Sequence, residues 1–97
     1  MRLKVLPSAL DDLRRGWQFY ERQQTGLGDY FQDSLISDID SLILYAGIHR
    51  VVHGYHRMLS KRFPYAIYYK MDGQDLAVVW RVLDMRESPE KTKRKLS

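Results

Sequence analysis

The apolar residues of this chain keep two different periods, and the places where the period changes divide it into elements. From Arg2 to Leu6 they alternate, with Leu3 and Val5 on one side, which predicts a short opening strand that Pro7 stops. Leu10, Leu13, Trp17 and Tyr20 then fall three, four and three residues apart, one stripe on a helix. Ser8 with Asp11 three places later resembles a capping box at its start, with Asp where Glu or Gln is usual. Thr25-Gly26-Leu27-Gly28 interrupts the pattern. A second helix follows, with Phe31, Leu35, Ile39, Leu42, Ile43 and Ala46 on its inner face, and Gly47 stands where a C′ residue of positive φ belongs.

Ile48 to His53 reads as a connector, after which period two returns: Tyr55, Arg57 and Leu59 oppose His56 and Met58. The stretch Lys61 to Pro89 carries the strongest signal. Phe63, Tyr65, Ile67 and Tyr69 alternate with Pro64, Ala66, Tyr68 and Lys70, then Asp72-Gly73 predicts a type I′ hairpin turn. Leu76 to Leu83 is apolar on both faces and belongs inside a sheet. Ser88-Pro89-Glu90 is a fitting N-cap with proline at the first helical position, opening a short basic tail with Lys91, Lys93, Arg94 and Lys95. The expected fold is α+β in the order β-α-α-β-β-β, a two-helix hairpin packed on one face of a mainly antiparallel sheet, with residues 1–97 as one domain.

Composition narrows the class without changing that picture. With 44% hydrophobic and 29% charged residues the chain suits a soluble globular protein, and no apolar run approaches the roughly 20 residues of a membrane span, so the cytoplasm is the expected location. Cysteine is absent, which removes thiol chemistry. A net charge of +4 fits an acidic or nucleic-acid partner as well as an ordinary solvated surface. No metal-ligand spacing, phosphate-cradling glycine loop or nucleophile–base pair is present, so neither a metal nor a cofactor is expected.

The candidate chemistry is cationic: Arg57, Lys61, Arg62, Arg81 and Arg86. Leu76, Val78, Trp80 and Val82 form the bulkier face of their strand and are expected to meet the helices, leaving Arg81 on the open face. An arginine in an apolar strand needs a partner. That partner is either an acidic neighbour such as Asp84 or Glu87, or a phosphate or acidic side chain of another molecule, which a guanidinium fork fits well. His49, His53 and His56 fall in no distinctive spacing, and Tyr65, Tyr68 and Tyr69 at strand spacing read as sheet packing rather than base stacking.

The order of elements, the run Arg-Phe-Pro-Tyr-Ala-Ile-Tyr-Tyr from Arg62, the ending Val-Leu-Asp-Met-Arg-Glu-Ser-Pro, and Ala9 with Asp12-Leu13 together resemble the ParE/RelE toxin superfamily of bacterial type II toxin–antitoxin modules. The likeness is to its ParE-like, plasmid-stabilisation branch and spans essentially the whole chain. It implies a toxin that inhibits DNA gyrase by binding and is neutralised by a cognate antitoxin. The alternative, from RelE-like relatives, is a ribosome-dependent mRNA endoribonuclease. Asp84 stands where the family's last-strand signature has histidine, which removes a group able to exchange a proton near neutrality. For the antitoxin, an amphipathic partner helix is expected beside Trp17, Tyr20 and Tyr30, with Arg57, Arg81 and Arg86 complementing its acidic residues.

Overall fold

The computed structural model describes residues 1–97. Strand β1 (Arg2–Val5) leads into α1 (Pro7–Gln23), α2 (Leu27–Asp40) and the single turn α3 (Leu42–Tyr45). There follow β2 (Val51–Val52), β3 (Tyr55–Leu59), β4 (Tyr65–Asp72), β5 (Leu76–Asp84) and α4 (Pro89–Leu96). The strands make one five-stranded sheet in the order β1-β5-β4-β3-β2, antiparallel except that edge strand β1 runs parallel to β5.

Alternation along β4 divides the interior in two. Tyr65, Ile67 and Tyr69 join Met58, Val79 and Val82 against Leu13, Phe31, Leu35, Ile39 and Leu42 of the helices. Each such side chain contributes about 1.5–3 kcal/mol on burial, so this face holds most of the stability. Ala66 and Tyr68 point the other way, into a smaller cluster with Tyr55, Leu83 and Leu96. The basic tail is therefore the helix α4, capped as expected by Ser88, whose Oγ accepts from the Lys91 N–H at 3.3 Å. It covers part of the second face, so helices lie on both sides of the sheet rather than one.

The hairpin of α1 and α2 is close because two glycines permit it. A Cβ on Gly16 would lie 2.5 Å from the Phe31 ring, and one on Gly28 would lie 2.7 Å from the Trp17 carbonyl oxygen. Glu21 of α1 accepts from the N–H groups of Gly26 and Gly28, both at 3.0 Å, and so caps α2, which has no side-chain cap of its own.

Several local expectations shift. Helix α1 starts at Pro7, and Ser8 serves the sheet instead of forming a capping box with Asp11. The second helix breaks at Ser41, whose Oγ donates to the Asp38 carbonyl at 2.6 Å, and Ile43 is left exposed. The connector contains β2, joined to β3 by His53-Gly54 with φ of 54° and 82°; this two-residue turn, not Asp72-Gly73, has both centres positive. At Asp72-Gly73 only the glycine has positive φ, and Asp72 pairs with Leu76 across a three-residue loop. Lys61 to Pro64 lies outside β4 as a bent approach, held by Asp38, which accepts from Ser60 Oγ at 2.7 Å and from the Lys61 N–H at 3.3 Å.

Candidate functional site

Strand β5 outruns its neighbour. Its pairing with β1 ends at Val79 opposite Val5, so its outer edge from Trp80 onward has no strand partner. Backbone polar groups left that way in a core are costly, and α1 supplies the partners. Ser8 Oγ donates to the Trp80 carbonyl at 2.7 Å, and Asp12 Oδ2 accepts from the Val82 N–H at 2.9 Å. The strand is also bulged here: Tyr69 sits opposite Val79 and Tyr68 opposite Arg81, leaving Trp80 as the extra residue. The bulge switches parity within the strand, so the expected facing is reversed before it but holds for Arg81 and Val82 after it. Ala77, Val79 and then Val82 face the helices, whereas Leu76, Val78 and Trp80 do not.

Arg81 consequently reaches α1. Its Nε and Nη2 donate to the two oxygens of Asp12, each at 2.8 Å, and its Nη1 donates to the Lys95 carbonyl at 3.1 Å. Only 17% of the Arg81 side chain and 5% of the Asp12 side chain are exposed. The hydrogen bonds to Asp12 raise the Arg81 pKa above its ordinary value against the opposing effect of burial. The arginine has an acidic partner within the chain, but on α1 rather than at Asp84 or Glu87.

Asp84 and Arg86 form a second bidentate pair. Burial alone would raise Asp84, but Arg86 donates to it through Nη2 at 2.7 Å and through Nε and its backbone N–H at 2.9 Å. Together these hold the carboxyl below its usual range, while the same hydrogen bonds raise Arg86. Arg86 Nη2 also lies 3.4 Å from the Tyr20 hydroxyl, and its guanidinium 5.6 Å from the Phe19 ring centre. Burial, and then the charge of Asp84, pushes neighbouring Tyr65 up to about 12. Around Asp84 the carboxylate is ionised, the phenol neutral and the guanidinium charged near neutral pH.

The remaining cations are dispersed. Arg57 shares a row with Tyr68 and Arg81 across β3, β4 and β5 and is half-buried, whereas Lys61 and Arg62 lie exposed before β4. Trp17, whose Nε1 donates to Asp29 at 2.8 Å, lines an apolar groove of about 390 Å³ with Leu3, Val5, Leu10, Leu13, Ile36 and Ile39. Tyr20 does not line it. That ring is 7% exposed and surrounded by Phe19, Phe31, Phe63 and Tyr65, so it is a core residue rather than a contact surface. Tyr30 is half exposed and rests on Phe63, also outside the groove. Ser8 and Asp12 were missed as structural residues. Asp12 belongs to the buried stripe Ala9, Asp12, Leu13, Gly16 and Tyr20 of α1, which is not the stripe Leu10, Leu13, Trp17 and Tyr20 that the spacing suggested, so its buried partner was not legible.

The family model for the ParE toxin of type II toxin–antitoxin systems, parDE, matches residues 3–89. Among curated proteins none matches the sequence. The solved structure described as the chromosomal ParDE toxin–antitoxin system from P. aeruginosa superposes with a TM-score of 0.80 at 19% identity, covering 89% of this chain and 97% of that one, and so shares its fold. No helix here is long and apolar enough to cross a membrane. With its sheet, its helical hairpin and its matched residues 3–89, this chain belongs to the ParE toxin family of type II toxin–antitoxin systems.

Proposed function

We propose that this toxin acts in the cytoplasm by binding DNA gyrase, with no turnover of its own, and is held inactive by a cognate antitoxin. The observation that carries the reading is the Asp84–Arg86 pair beside Tyr65. Cleavage of RNA through the 2′-OH needs groups that give and take protons near neutrality. Here a depressed carboxyl, a raised guanidinium and a phenol at about 12 stand at that position. Arg81, which a nuclease would need free for phosphate, is engaged by Asp12.

The antitoxin contact moves with the geometry. We place an amphipathic segment in the groove of Leu3, Val5, Leu10, Leu13, Trp17 and Ile36, beside the free outer edge of β1. Arg81 is unsuited to meet it, whereas Arg14 on the groove wall can. Trp17→Ala should weaken binding of the antitoxin encoded alongside by about tenfold or more while Tyr30→Ala changes it little. Equal loss for the two variants in surface plasmon resonance contradicts the groove assignment.

One observation favours the RelE-like alternative: Arg57 has no partner within the chain and sits on the sheet face. Toeprinting on translating ribosomes tests it. Cuts that vanish in Arg57→Ala but survive in Arg62→Ala would replace gyrase by the ribosome and its mRNA as the target.

A further inference from the structure

A small cavity of about 110 Å³ lies between the β2–β3 turn and the start of α4, lined in part by His53, Arg57, Tyr68 and Thr92. None of these four side chains has a hydrogen-bond partner in the chain. Tyr68 is the decisive one. The residue is only 4% exposed, yet no buried side-chain polar atom lacks a partner, so its hydroxyl must open on this cavity. Its ring is held by the second core while the hydroxyl, with no partner in the chain, stays accessible at the cavity for a ligand to engage. Arg57 stands directly across the β3–β4 pair from it, on the same face.

All four groups can donate, and Arg57 brings a full charge, so the ligand is an acceptor-rich anion. The positive end of α4, an eight-residue helix, lies at the same place, with Pro89 lining the cavity. One carboxylate, Glu87, also lines it, but both its oxygens accept from Lys95 Nζ, at 2.9 and 3.0 Å. Outward along α4, Lys91, Lys93 and Arg94 make no ion pair and extend the positive field beyond the cavity. A field that continues past the notch suits a polymer of phosphates better than a single one.

We propose that this cavity binds a backbone phosphate of a nucleic acid, with Arg57 and Tyr68 gripping the phosphate oxygens and α4 following the adjoining backbone. Met85 and Glu87 also line the cavity, but neither Asp84 nor Arg86 does, and it shares no residue with the antitoxin groove. It holds whichever target the toxin engages, because it concerns binding and not inhibition or cleavage.

The test pairs two readouts on the whole chain. In amide NMR, inorganic phosphate should shift the signals of His53, Gly54 and Thr92 saturably. In fluorescence anisotropy, a short single-stranded oligonucleotide should bind with affinity that falls as salt rises. Arg57→Ala should weaken it about tenfold, Tyr68→Phe, which keeps the ring packing, several-fold, and Arg62→Ala, which removes the same charge elsewhere, about twofold or less. Equal loss for Arg57→Ala and Arg62→Ala would mean general attraction alone, and phosphate shifts that miss the cavity would remove the site. Capture of a phosphoserine peptide without capture of the oligonucleotide would overturn the nucleic-acid assignment. None of these outcomes bears on gyrase, which is read by supercoiling.

Discussion

Asp12 shows how one side chain can fix the meeting of two elements. It satisfies the Val82 N–H and receives two bonds from Arg81, so removing the arginine leaves a buried carboxylate with a single strong donor. Breaking such a pair from one side costs about 3–5 kcal/mol, and Arg81→Ala should lose stability on that scale in urea unfolding. Adding Asp12→Asn to Arg81→Ala, which neutralises the stranded carboxylate and keeps an acceptor for Val82, should recover part of that loss; no recovery would mean the unpaired charge is not its source. Tyr69 gives a second case. Its hydroxyl meets His49 Nδ1 and accepts from the Gly47 N–H at 2.9 Å, while His56 stacks on its ring at 5.0 Å and donates to the His49 carbonyl at 2.7 Å. Burial, and then the neighbouring His56, lowers the His49 pKa. A histidine depressed by folding binds its proton more readily when unfolded. Its contribution is therefore complete above about 6.5 and is lost as pH falls from there towards the folded value. Stability measured between pH 7 and 5 should decline, and His49→Asn should flatten that decline; an unchanged slope in the variant removes His49 as its cause.

Elements whose causes are local were legible in the sequence. β1, the two long helices, β3, the α4 cap at Ser88 and the alternation of β4 all followed from period and punctuation within a few residues. The bulge at Trp80 was not, because nothing in Leu76 to Leu83 marks which residue is extra; that is set by α1 bonding Trp80 and Val82 across about seventy residues of sequence. With the bulge went the faces of Leu76, Val78 and Trp80, whereas Arg81 keeps its expected face and finds an unexpected partner on α1. The β2–β3 turn was hidden because histidine, not asparagine or glycine, occupies its first centre at φ 54°. Gly28 tests the hairpin. A Cβ there meets the Trp17 backbone, which cannot swing aside as a side chain can, so Gly28→Ala should cost about 1–3 kcal/mol and reduce the thermal midpoint by several degrees. An unchanged midpoint would mean the helices have room to part. Leu96 tests α4: Leu96→Ala should speed amide exchange along α4 well before it does so in β4, because Leu96 is the one buried residue of that helix.

At the scale of the molecule, one sheet carries two cores of unequal size. The larger holds the α1–α2 hairpin, while the smaller is closed by a basic helix. The surfaces left over are of three kinds. There is an apolar groove along β1, a cationic face under α4, and the Asp84–Arg86 corner. On the function proposed above, the toxin inhibits by occupying its target. The most direct measurement is gyrase supercoiling and DNA cleavage with the purified chain and then with its antitoxin added. Inhibited supercoiling or accumulated cleaved DNA at micromolar toxin, reversed by the antitoxin, is the expected result. Gyrase that supercoils normally and leaves no excess cleaved DNA, beside ribosome-bound mRNA that the same preparation cuts, would contradict it.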